Sequence, residues 1–94
     1  MCVALIGGMD RLEQQYINIA RQLGINLRVF SKYKHSLQSK IKNVDGVVIF
    51  TNKVAHKTRK EAVRIAKINK IPFIMHHSCG ICSLRECLTC LKNQ

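Results

Sequence analysis

The sequence predicts an α/β fold. It reads as a single Rossmann-like or flavodoxin-like domain over residues 1–94, with a four-stranded parallel sheet in the order 2-1-3-4, helices on both faces and a cysteine-rich C-terminal helix. Three observations carry this. Segments that read as strands (Cys2–Ile6, Ile25–Phe30, Gly46–Phe50 and Ile71–Met75) alternate with segments of helical periodicity. The first and third runs are apolar throughout, as strands covered on both faces are. Finally, 94 residues are enough for one domain with a modest core and too few for two.

The elements follow in order. Cys2–Ile6 stops at Gly7-Gly8, read as a tight turn. Asp10 opens the first helix, with Glu13 completing a capping-box-like pair. Leu12, Tyr16, Ile19, Ala20 and Leu23 recur at helical spacing, and Gly24 ends the helix. After the second strand, Ser31–Lys42 is polar and basic; Leu37 and Ile41, one turn apart after Ser36, predict a short helix there. Asn43–Gly46 is turn-like and leads into the third strand. Thr51-Asn52 ends that strand and is placed to cap the next helix, which is carried to Asn69. In that helix Ala62, Ile65 and Ala66 face the sheet, and Lys57, Lys60, Arg64 and Lys67 form the opposite stripe. Pro72 sits near the start of the fourth strand, where its missing N–H is tolerated. Ser83-Leu-Arg-Glu86 is a capping box for the final helix. So small a sheet leaves open edges and thin helical cover, which makes a homodimer an expectation.

Charge narrows the partners. Sixteen Lys and Arg against five Asp and Glu give a net charge of +11. Such a field favours polyanions. Twelve of the sixteen cations lie between Arg28 and Lys70, opposed only by Asp45 and Glu61. Lys53, Lys57, Arg59, Lys60, Arg64 and Lys67 concentrate on the third helix and the loop before it, a candidate surface for nucleic acid or another acidic partner. A solvated helix face has the same composition and explains the stripe as readily. The few carboxylates argue against an acid–base enzyme, because Asp10, Glu13 and Glu86 are already explained as helix-start residues. Cys2–Ile6 is too short to span a membrane and lacks the flanks of an export signal. No membrane partner is expected, and the cytoplasm, where thiols stay reduced, is the predicted location.

Four of the five cysteines fall in the last sixteen residues, as Cys79-Gly-Ile-Cys82 and Cys87-Leu-Thr-Cys90. This spacing predicts a metal-binding segment over residues 76–91, holding zinc or an iron–sulfur cluster on four thiolates. The first pair is expected in the loop before the final helix, whose positive end favours thiolates; the second has i,i+3 spacing on the helix itself. His76 and His77 precede the cluster, and at most one joins it, since neighbours in an extended segment point to opposite faces. Two other readings compete. Cys87 packs with Leu84, Leu88 and Leu91, or Cys79 and Cys82 form a redox dithiol. Cys2 reads as a buried small hydrophobe.

In open parallel sheets ligands bind beyond the strand carboxyl ends. Gly7, Gly8, Thr51, Asn52, Lys53, His56 and Ser78 are therefore ligand-pocket candidates. Gly7-Gly8 stands where a phosphate loop would stand, without either glycine-rich phosphate motif, and Asp10 competes for the same backbone donors.

Val3-Ala-Leu-Ile-Gly-Gly-Met-Asp-Arg-Leu12, Val47-Val-Ile-Phe-Thr-Asn-Lys-Val-Ala-His56 and Pro72–Leu84 with its Ser78-Cys-Gly-Ile-Cys-Ser-Leu84 resemble the small bacterial proteins grouped as domain of unknown function family 2325. The resemblance spans nearly the whole chain. It implies a compact Rossmann-like domain with these segments along one edge, and it implies no particular activity. The metal expectation rests on this sequence alone. The combined reading is a regulatory or interaction module with a metal site and a basic surface, nucleic acid being the first partner considered. The alternatives are a thiol-disulfide redox protein using Cys79 and Cys82, or a nucleotide-binding domain at the strand ends.

Overall fold

The computed structural model describes residues 1–30, 41, 43–78 and 80–93, leaving aside the side chain of Lys53. Along the chain run β1 (Cys2–Ile6), a single 3-10 turn (Asp10–Leu12), α1 (Glu13–Gln22), β2 (Asn26–Phe30), β3 (Gly46–Phe50), a second 3-10 turn (Thr51–Lys53), α2 (His56–Ile68), β4 (Phe73–His76) and α3 (Ile81–Lys92). All strand pairs are parallel, and the sheet order is β2-β1-β3-β4, as the alternation of strands and helices predicts. The short helix expected between Ser36 and Lys42 falls outside the described residues apart from Ile41, which is buried.

The strands divide the core into two layers by simple alternation. Val3 and Leu5 of β1 and Val48 and Phe50 of β3 meet Tyr16 and Ala20 of α1 and Leu84, Cys87, Leu88 and Leu91 of α3. Ala4, Ile6, Val47 and Ile49 point the other way, onto Ala62, Ile65 and Ala66 of α2 and onto Ile41, Val44 and Ile71. Every residue of β3 is buried, which is why its sequence is apolar at each position. β2 and β4 are the two edges. Lys92 ties the α1–α3 layer together by donating from Nζ to the carbonyl of Leu23, 2.9 Å away.

Helix ends show how local rules were applied or displaced. After α1, Gly24 takes φ +74; its N–H bonds to Arg21 O and that of Ile25 to Ala20 O. That pattern is a Schellman cap. α2 ends the same way, with Lys70 N–H on Lys67 O and Ile71 N–H on Ala66 O, but the left-handed position is Lys70 at φ +57.

Neither Asp10 nor Ser83 is the N-cap of its α-helix: Leu12 precedes α1 and Gly80 precedes α3. Asp10 lies inside the 3-10 turn, and the Met9 amide donates to the Tyr16 hydroxyl at 3.2 Å, so a buried tyrosine meets a donor at the start of this segment. At the other end of the chain, only four residues separate β4 from α3, and Gly80 is the N-cap. Ser78 Oγ accepts from the Gly80 amide at 3.3 Å, leaving Ser83 in the first turn of the helix rather than before it. Thr51-Asn52 likewise does not cap α2; it forms its own turn, and Ala55 is the N-cap.

Candidate functional site

At the strand carboxyl ends, the glycines are accounted for by packing. Gly7 has φ +90, and a Cβ there would stand 2.1 Å from Val54 Cγ2 and 2.8 Å from the carbonyl of Phe50. At Gly8 a Cβ would come within 2.8 Å of the Tyr16 ring. Both residues are buried. Gly7 N–H donates to Phe30 O and Met9 N–H to Tyr16, so two amides that a phosphate would need are already committed. The loop closes on Val54 and Tyr16 instead of opening toward a ligand.

Other predicted residues at this end serve the connections. Asn52 N–H donates to His77 O at 3.3 Å, joining the ends of β3 and β4. Ser78 N–H donates to His76 Nδ1 at 3.2 Å, which engages that ring nitrogen in the turn. His77 and Ser78 are exposed, Thr51 is half-buried, and Lys53 belongs to the turn Thr51–Lys53. His56 opens α2 in solvent and accepts at Nδ1 from the Arg59 guanidinium one turn on.

The cysteines separate by environment. Cys82 and Cys90 are exposed on α3, whereas Cys87 is buried among Leu84, Leu88 and Leu91. Burial, reinforced by negative charge at Cys90 and Glu86, pushes the Cys87 thiol up from 9.0 to about 11. Cys82, expected in the loop, is inside the helix. Eight residues then separate it from Cys90, a rise of about 12 Å, while two sulfurs on one zinc lie no more than about 4.6 Å apart. A shell drawing on Cys82, Cys87 and Cys90 together does not fit α3. Cys79 lies outside the described residues; among those described, no three His, Cys, Asp or Glu side chains gather as a metal shell. Cys2 is half-buried rather than buried, and its amide donates to Asp45 Oδ2 at 2.7 Å.

The basic residues, by contrast, do converge. Lys57, Lys60, Arg64 and Lys67 are exposed on α2, as their spacing predicts, and Arg59 is half-buried. A groove of about 600 Å³ runs between α2 and β4, lined by Arg59, Lys60, Val63, Arg64, Lys67 and Met75. At 100° per residue, these five helix positions form one flank beside the buried Ala62, Ile65 and Ala66, and Glu61 falls outside it. Four cations thus rim an apolar floor, with no carboxylate in the lining. Sequence reasoning found three of the four as an outward stripe and named Arg59 with them, but it missed Val63 and Met75. Their signal was available. Val63 interrupts the basic run one turn after Arg59, and Met75, two residues after Phe73 in β4, lies on the same face of the sheet as Phe73, the α2 side.

Fold and site together define a small all-parallel α/β protein with a cation-rimmed groove beside an edge strand. The profile of a bacterial family described as uncharacterized protein conserved in bacteria (DUF2325) matches residues 2–91, and the chain belongs to that family. No curated protein matches it. Among the described residues, no helix is long and apolar enough to cross a membrane.

Proposed function

We propose that the protein is a noncatalytic module that binds nucleic acid through the α2–β4 groove. The observation that carries this is the groove lining: Arg59, Lys60, Arg64 and Lys67 around Val63 and Met75, without a carboxylate. Cations placed so close together repel one another, and a polyanion relieves that repulsion while releasing its own counterions. The chain's net charge of +11 adds a long-range field that draws such a partner in. A cytoplasmic location accords with this reading, because nucleic acid is there and exposed thiols stay reduced. The test is fluorescence anisotropy with a labelled oligonucleotide. The Lys60→Ala/Arg64→Ala variant is expected to bind about tenfold more weakly than wild type at the same salt. Equal binding by the two proteins would mean that α2 is simply a solvated face.

A second reading keeps a metal, zinc or an iron–sulfur cluster, on Cys79 and Cys82 with His76 or His77. It is favoured by the place of Cys82, exposed in the first turn of α3 and close in sequence to the end of β4 at His76. Metal and acid-labile sulfide per chain decide it. Stoichiometric metal that is lost in Cys82→Ser supports this reading. Metal-free protein in which Cys82 forms a reversible disulfide favours a thiol-disulfide role.

A further inference from the structure

From this groove we infer that the preferred nucleic acid is single-stranded, with one base seated on Met75 and Val63 and the flanking phosphates held by Arg59, Lys60, Arg64 and Lys67. The inference rests on the nucleic-acid reading above and names its substrate class.

Three features of the groove point the same way. First, its floor is apolar. Met75 is 50 % exposed, one of the few large hydrophobic side chains so exposed among the described residues, and Val63 lies beside it half-buried. A phosphate backbone gains nothing from such a floor, whereas the π-face of an unstacked base does, and a thioether is a favourable neighbour for it. Duplex bases are stacked and cannot reach down past their own phosphates. Second, the cations occupy one wall only. Arg59 to Lys67 spans eight residues, about 12 Å of helix, a length that follows one strand rather than clamping two. Third, the opposite wall is β4, which among the described residues pairs with β3 alone. An edge strand offers backbone N–H and C=O groups on its open side, donors and acceptors that suit base edges without demanding one sequence.

Anisotropy titrations of the full chain with three labelled 12-mers test this at a single salt concentration: a mixed-sequence single strand, the corresponding duplex, and a single strand with abasic sites throughout. The single strand should bind at least about threefold more tightly than either of the others, in line with a Met–aromatic contact. Met75→Ser, a change at an exposed side chain, should erase the preference for the base-bearing strand over the abasic one. The salt dependence should be unchanged in that variant, because no cation is removed. A duplex bound as tightly as the single strand, or a Met75→Ser variant that keeps its preference for bases, would overturn the inference and leave the nucleic-acid reading standing. If none of the three ligands binds, that reading falls and this inference with it.

Discussion

Cys87 shows most plainly how environment overrides motif. In the sequence it is one of four regularly spaced thiols; in the structure it is a core side chain with Leu84, Leu88 and Leu91 around it. Its raised pKa, about 11 against 9.0, also makes it a stability term. Between those two pH values the folded chain holds a proton that the unfolded chain has released, so stability is full below about pH 9 and falls as pH rises toward 11. Denaturant unfolding at pH 8 and pH 10.5 should show a smaller loss for Cys87→Ala than for wild type. Cys82 and Cys90 should react with a thiol reagent in the native state well before Cys87. Metal content should be the same in Cys87→Ala as in wild type; a drop would make Cys87 a ligand and refute its assignment to the core.

At the scale of elements, the periodicities were legible and the junctions were less so. Alternation and apolar runs identified β1 and β3 to the residue, because burial on both faces leaves no polar position to blur the ends. The helical stretch does open at Asp10, but as a 3-10 turn before α1, and Ser83 lies inside α3 rather than before it. A capping box is a local pattern, and here the Tyr16 hydroxyl and the short β4–α3 connection, both products of tertiary packing, determine where the chain turns. The C-terminus of α2 is a similar case: Gly24 announced the end of α1, but the equivalent left-handed residue after α2 is a lysine. Lys70→Gly should therefore stabilise the fold by about 1 kcal/mol, since the left-handed conformation costs a side-chain-bearing residue roughly that much. A thermal midpoint raised by a few degrees would agree, and an unchanged or lower one would not. The groove was half legible. Its cations follow from helical spacing, but Met75 joins them only through the sheet order that puts β4 at the edge beside α2.

On the scale of the whole molecule, one asymmetry organises the rest. One face of the sheet carries α1 and α3, sealed by Tyr16, Phe50 and the leucines of α3; the other carries α2, whose flank remains open beside β4. Cys82, Cys87, Cys90 and the Gly7-Gly8 turn are absent from the lining of that groove, so binding there should tolerate substitution of the exposed Cys82 and Cys90. The central claim is that the groove holds phosphates, and its most direct test is the salt dependence of binding to a single-stranded oligonucleotide. Four phosphate contacts give a slope of log K against log salt of about −3, and Lys60→Ala/Arg64→Ala should flatten it by about 1.4. A wild-type slope near zero, or an identical slope in the variant, would contradict the account.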